Sequence, residues 1–362
     1  KPHEVLVGAL EFYERYGVNP GRSGYDLCVA SGDLLQSARE QMCRLFGGDT
    51  AERLCFASNA SDALNMLIQG MVAPGDHVVS TVVEHNSVIR PLNHLRRDGL
   101  IEVDYVPCGP DTRVDPDDVA RAIRPDTRLV AVNHASNVTG AVQPVAEIGL
   151  VCAEQGVPLL LDTAQTAGVI PVDMQAMNVS ALAFTGHKSL LAPTGIGGVC
   201  VREGVEVRST RFGGTGVRSA HPYHLEEYPY RLEVGTPNMI GVAGLHRAQD
   251  WIAEQGMGSI YQHEMGLFAR LQAGLQEIDR VRLHGGTQLE ARLPVLSFTV
   301  DGLDPADVGT FLDVEHEIAC RTGLQCAPLI HEQMGTTPRG TVRLSIGPLN
   351  TRDHIDAAID AV

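Results

Sequence analysis

The sequence predicts an α/β protein: a large domain on a mostly parallel, seven-stranded sheet, followed by a smaller α+β domain. Three observations carry this reading. Short apolar runs of strand length alternate with amphipathic stretches through the first two-thirds of the 362 residues. Strands alternating with helices of roughly 10–15 residues build a parallel sheet covered on both faces. The alternation stops near residue 236, where two long helical patterns precede less regularly spaced strands. Finally, 44% apolar and 20% charged residues are ordinary for a globular chain, so packed cores are expected rather than disorder. At roughly 100–200 residues per domain, one large and one smaller domain suit this length.

In order, a helix is expected at about 3–16. Strands follow at 53–57, 77–81, 101–106, 129–133, 157–162, 181–185 and 198–202. Helical patterns lie between them at 61–71, 87–97, 116–123 and 145–155. The 185–198 segment is rich in Gly and Pro and joins its two strands without a full helix. Beyond 236, helices are expected at 239–254, 259–277, 305–311 and from Arg352 onward, with strands at 293–300, 317–321 and 341–346. The expected division is 15–235 for the large domain, and 1–14 with 236–362 for the small one.

A formal charge of −16 repels nucleic acid and anionic lipid, so neither is an expected partner. No apolar run reaches the roughly 18–20 residues that span a bilayer. The start, KPHEVLVGALEF, does not read as a signal peptide. The eight cysteines are scattered and form no CxxC pair. Free thiols in a reducing cytoplasm fit this better than a disulfide framework or a zinc ribbon. HEQMG at 331–335 is not HExxH, the histidines show no ligand spacing, and no metal is expected. TGIGG lacks the GxGxxG spacing of a dinucleotide loop.

The densest chemical signal is a strand, a loop and a strand: VPLLLDTAQTAG at 157–168, then ALAFTGHKSLLAPTGIGG at 181–198. Ligands of parallel sheets sit beyond the carboxyl ends of strands. Asp162 therefore projects toward a crevice, with Gln165 one turn on; its plainer reading is a helix cap. Lys188 follows another strand, and a lone lysine is ordinarily a surface charge. Together, however, an acid and a lysine at neighbouring strand ends suit pyridoxal phosphate. The lysine binds the aldehyde and the carboxylate keeps the pyridine nitrogen protonated, making the ring an electron sink. SNASDALNML at 58–67 offers a phosphate cradle, because the amides of Ala60 and Ser61 would open a helix. Thr185 and His187 add donors beside Lys188. His85 in VEHNS lies at a further strand end, where it could stack on a ring or simply cap a helix. Asn137 in NHASNVTG lies at a fourth, or is a turn residue. Cys326, in RTGLQCAPLIH, sits in a polar loop that favours exposure, although a cysteine is by default a buried, inert thiol.

The ordered set SNASDALN, VEHNSV, NHASNVTG, LDTAQTAG, FTGHKSLLAPTGIGG, LEVGTPN, RTGLQCAPLIH and GTVRLSIGPLNT spans positions 58 to 351. It resembles the class V aminotransferase family of fold type I pyridoxal phosphate enzymes, and within it the cysteine desulfurase/selenocysteine lyase branch. The resemblance implies a Schiff-base role for Lys188 and a pyridine-nitrogen partner in Asp162. Gln165 would bind the ring hydroxyl, His85 would stack, and Ala60, Ser61, Thr185 and His187 would hold the phosphate. Gly235 and Thr236 would reach the phosphate of a neighbouring subunit, which implies a homodimer with shared sites. Asn137 and Arg343 would bind the substrate carboxylate, which the planar fork of arginine matches; an ion pair is the plainer reading of Arg343. Cys326 would be the catalytic cysteine, attacking the substrate sulfur to form a persulfide, a chemistry that needs a thiolate. The short connection to Arg343 resembles the Suf-type (group II) enzymes, which pass the persulfide to a small acceptor protein.

The implied reaction is L-cysteine to L-alanine, with selenocysteine as a second substrate. The alternative is another class V reaction, a C–S β-lyase, epimerase or aminotransferase, that does not use Cys326. Three departures stand out. Leu324 and Gln325 occupy positions where the family often has histidine before the cysteine. Ala60 removes one hydroxyl from a loop that is usually Thr-rich. Relatives also carry a strand reading roughly YLDNAAT before the KP pair, so a substrate-facing segment is expected ahead of Lys1.

Overall fold

A computed structural model describes residues 1–21 and 24–362 of the chain. The seven predicted strands form one sheet. They are β1 Leu54–Ala57, β2 Asp76–Thr81, β3 Ile101–Val106, β4 Thr127–Asn133, β5 Leu159–Asp162, β6 Ala181–Thr185 and β7 Gly197–Val201, in the order β1-β7-β6-β5-β4-β2-β3. β7 is antiparallel to β1 and β6, and the other pairs are parallel. The sheet is thus mostly parallel, as the alternation predicts. The antiparallel step falls where the sequence offers no crossover helix, because a parallel return needs a connection of roughly a dozen residues or more.

The inner strands are largely apolar on both sides and sort by a period of two, while the edge strand β3 exposes Glu102 and Asp104. Val130, Val132, Leu161 and Leu182 enter one buried cluster, while Leu129, Ala131, Leu160 and Ala181 enter the other. α3 (Ala60–Met71) and α4 (Asn86–Arg97) cover the second face. The first face is covered by α1 (His3–Arg15), α2 (Asp26–Leu45), α5 (Pro116–Ala122), α6 (Val145–Glu154) and α7 (Met239–Gln255). A four-stranded antiparallel sheet follows, ordered β10-β11-β9-β8: β8 Val281–His284, β9 Val295–Val300, β10 Arg321–Gly323 and β11 Thr341–Ser345. It packs with α8 (Met257–Gln276), α9 (Pro305–His316) and α11 (Arg352–Ala361) around Phe268, Leu296, Phe298 and Leu312. α10 (Pro328–Gln333) follows the β10 loop.

Local chemistry explains many of these boundaries. α5 and α9 both open on Asp-Pro. Asp115 and Asp304 accept from the amides of Asp117 and Ala306, and the proline occupies a position whose N–H would be unpaired anyway. Several segments depart from the sequence reading. The strand expected at 317–321 is confined to Arg321–Gly323, because α9 runs on to His316 and Glu317 closes it in a left-handed conformation at φ +55°. α2 went unread: its buried face includes Ser31 and Arg39, which break the apolar stripe. β8 and α10 went unread as well, being four and six residues long. Among the described residues no helix is long and apolar enough to cross a membrane, and all eight cysteines are free thiols.

Candidate active site

β4, β5 and β6 end in Asn133, Asp162 and Thr185. All three line a cavity of about 480 Å³ at the carboxyl edge of the sheet. Ala60, Ser61, His85, Asn137, Gln165, His187 and Lys188 share its wall. A second cavity of about 480 Å³ adjoins it across His85, Asn137, Gln165 and Lys188, closed by Arg321 and Arg343 of the second sheet and by Cys326 in the loop after β10. Most of the predicted site residues therefore meet in one double chamber.

On its floor, Asp162 is buried and its Oδ1 accepts from the Ala164 amide at 2.9 Å. Burial pushes this carboxyl above the usual carboxylate range, and Lys188 opposes the shift. Burial likewise pushes Lys188 down, opposed by Asp162 and reinforced by Arg343. Acid and amine are each short of counter-charge. A protonated ring nitrogen against Asp162 would supply what the carboxylate lacks.

One wall suits a phosphate. Asn59 caps α3 by accepting from the Asp62 amide at 3.0 Å. The amides of Ala60 and Ser61 then belong to the first turn, which no helix carbonyl reaches, at the positive end of the helix. Ser61 Oγ meets Ser87 Oγ at 2.5 Å, and Thr185 Oγ1 meets His187 Nδ1 at 2.9 Å. Gly197 lets β7 pass beneath this turn, because a Cβ there would lie 2.8 Å from Asn59 Cα and 2.6 Å from Phe184 O. Donors, dipole and space fit a phosphate monoester.

His85 caps α4 and also faces the cavity. Its Nδ1 accepts from the Ser87 amide at 3.0 Å, so the neutral ring carries its hydrogen on Nε2. Burial, then Lys188, Arg90 and Arg343, push its pKa down to about 4. At neutral pH it is a flat, uncharged wall.

On the small-sheet side, Arg343 in β11 stands directly opposite Arg321 in β10. Its Nη1 donates to Asn137 O at 2.8 Å. Arg343 Nε and Asn137 Oδ1 are buried without partners. Burial lowers the pKa of Arg343, and Arg321 adds to this. An unsatisfied guanidinium beside a second one is a demand for an anion. Cys326 is the exposed thiol of the eight; Cys320 is half-buried and the other six are buried. It lies near enough to Lys188 and Arg343 to act on both electrostatically.

Gly235 and Thr236 stand apart from both chambers, in a hollow bordered by Ser58, Arg211 and Asn238. Glu233 fixes their loop: it takes two bonds from the buried Arg39, at 2.6 and 3.1 Å, and one from the Phe56 amide at 2.7 Å. Sequence reasoning passed over Arg321, Ser87 and Glu264, which also line the chambers. Arg321 could have been found by pairing two arginine-bearing strands. Glu264 lies on a helix with nothing local to mark it.

The profile of the class V aminotransferase family matches residues 1–358. A protein of Methanothermobacter thermautotrophicus named probable cysteine desulfurase is 34% identical over 360 residues, spanning 98% of this chain and 89% of the relative. A cysteine desulfurase of Haloferax volcanii is 27% identical over 370 residues, spanning 100% and 86%. Among solved structures, the apo cysteine desulfurase of Thermococcus onnurineus NA1 superposes with a TM-score of 0.93 at 31% identity, covering 99% of this chain and 90% of that one. The Escherichia coli cysteine desulfurase CsdA gives 0.90 at 26% identity, covering 100% and 90%.

Proposed function

The chain belongs to the class V aminotransferase family, and from that membership we propose a cysteine desulfurase that converts L-cysteine to L-alanine and leaves the sulfur as a persulfide on Cys326. The observation that carries this reading is one exposed thiol on a chamber shared with Lys188 and Arg343. The relatives' names support it.

Pyridoxal phosphate, the cofactor of this family, supplies when bound a sink for the electron pair released at the substrate Cα. Lys188, Asp162 and Gln165 would hold its ring, with His85 against the face. Ala60, Ser61, Thr185 and His187 would hold its phosphate. Arg343 and Asn137 would orient the substrate carboxylate, a gain from positioning. Lys188 Nζ would take the Cα proton, which its buried, lowered pKa suits. Cys326 Sγ would attack the substrate sulfur: the new S–S bond forms as the Cβ–S bond breaks, its electron pair stays with Cβ, and protonation of Cβ together with return of the proton from Lys188 Nζ to Cα gives alanine. Selenocysteine fits the same sequence of bonds.

Gly235 and Thr236 would complete the phosphate site of a partner copy, making the enzyme a homodimer. A small acceptor protein would take the persulfide sulfur, and the free thiols suit a reducing, cytoplasmic setting. The test is purified protein with L-cysteine and a reductant, assaying sulfide and alanine together beside a Cys326→Ala variant. Equal sulfide and alanine, both lost in the variant, are expected. Pyruvate or keto-acid output, or an unaffected variant, would move the function to a lyase, epimerase or aminotransferase.

A further inference from the structure

Gln325 is a loop residue that turns its side chain inward and is 5% exposed. Its Nε2 donates to Thr341 O at 2.8 Å and meets Thr341 Oγ1 at 3.1 Å, while its Oε1 accepts from that hydroxyl at 3.3 Å. Its carbonyl accepts from Asn137 Nδ2 at 2.7 Å. The next carbonyl, that of Cys326, accepts from the Asn86 amide at 2.7 Å. Gln325 and Cys326 both hold positive φ, +42° and +61°. Residues with a Cβ stay there only where their surroundings fix them. Here the surroundings are these three attachments: to β11, to the β4 loop and to the start of α4.

Two of the three have no competitor in the chamber. The third does. Asn137 is a chamber wall, and the guanidinium that grips its backbone, Arg343, has a buried Nε with no partner. An entering carboxylate would satisfy Arg343 Nε and lie within reach of Asn137. A charged carboxylate oxygen is a stronger acceptor than a neutral peptide carbonyl, by roughly twofold in bond strength. It would therefore draw Asn137 Nδ2 away from Gln325 O. The cysteine loop would lose one attachment at the moment substrate arrives and keep the Gln325 side chain as its hinge point.

We propose that Gln325 is a positioning residue that latches the Cys326 loop to β11, and that a carboxylate taken by Arg343 and Asn137 releases the loop's attachment to Asn137. Cys326 is thereby held in one orientation at rest and freed to advance toward the substrate sulfur. This rests on Cys326 being the working thiol, but its test does not require turnover.

The test is alkylation of Cys326 by iodoacetamide in the holoprotein, followed by peptide mass spectrometry, with and without propionate as the carboxylate probe. Propionate is expected to raise the wild-type rate about fivefold, the factor that corresponds to losing one net hydrogen bond. Gln325→Met keeps the volume and removes the side-chain latch, so it should react faster than wild type without propionate. Its kcat for L-cysteine should fall while KM and the cofactor's absorbance stay near wild type, a split that general loosening of the fold would not give. A wild-type rate unmoved or lowered by propionate overturns the release. A Gln325→Met rate equal to wild type, or KM rising in step with the loss of kcat, overturns the latch. Because alkylation reads the thiol alone, absence of sulfide production would count against the desulfurase reading and not against the latch.

Discussion

Glu84 and Glu264 carry buried carboxyls, and with three histidines they contribute to the response to pH. Glu84 Oε1 accepts from Thr81 Oγ1 at 2.6 Å and from the Asn133 amide at 3.0 Å, while its Oε2 is buried without a partner. Burial pushes both glutamates up to about 8. A carboxyl whose folded pKa is raised binds its proton more tightly folded than unfolded. Its stabilising contribution is full below the unfolded value and lost as pH rises to 8. His85, His134 and His331 are pushed down to about 4, chiefly by burial. Their contribution is full above the unfolded histidine value and lost as pH falls through 4. The two trends cross near neutrality, so the thermal midpoint should peak at about pH 6–7 and decline by pH 9. Calorimetry across that range checks it. Glu264→Gln stays uncharged, so its midpoint should fall a few degrees less than wild type between pH 6.5 and 9. Equal declines would mean that Glu264 does not titrate in this window.

At the scale of elements, the phosphate wall depends on how closely β7 runs under α3. Both nearest neighbours of a Cβ at Gly197 are backbone atoms, Phe184 O and Asn59 Cα, so neither can swing aside as a side chain would. Gly197→Ala should displace the first turn of α3 and weaken cofactor binding about tenfold or more, since overpacking costs typically 1–3 kcal/mol and ~1.4 kcal/mol is a factor of ten. Titrating the apoprotein with pyridoxal phosphate measures it; an unchanged affinity with intact circular dichroism would free this contact from the role. The same elements explain what the sequence disclosed. β5 and β6 are uninterrupted apolar runs, and the polar residue that ends each, Asp162 or Thr185, is both the end of the strand and the start of the site. α2 stayed hidden because Arg39 is buried by its pairing with Glu233, 194 residues away, which no local pattern carries. Gln325 was visible as a residue but not as a latch, because Thr341 meets it only when β10 pairs with β11, and Asn137 only after the second sheet docks.

The whole molecule is a site assembled from separate bodies. The turn after β4 is gripped by Arg343 and Ser297 of the second sheet on Asn137 O and Val138 O, at 2.8 and 2.6 Å, and by Arg292 just before β9 on Thr139 O, at 2.8 Å. The chamber lined by Asn137 and Arg343 therefore exists only while the two sheets stay docked. The Gly235–Thr236 loop is anchored through Glu233 and lies exposed, outside the lining of its own chain's chambers, a placement open to a second copy. Gly235 has φ +84° and nothing within 4 Å of an added Cβ. Aspartate tolerates that conformation better than most residues, so Gly235→Asp should fold and place a carboxylate where the partner's phosphate would lie. Mixing this variant with Lys188→Ala separates the two arrangements. If the loop acts across the interface, a mixed dimer pairs both defects at one site and neither at the other. Random reassortment would then restore about a quarter of wild-type activity from two variants with little of their own, as two-fold symmetry requires. If the loop acts within its own chain, every site in every mixture keeps one defect, and mixing restores nothing.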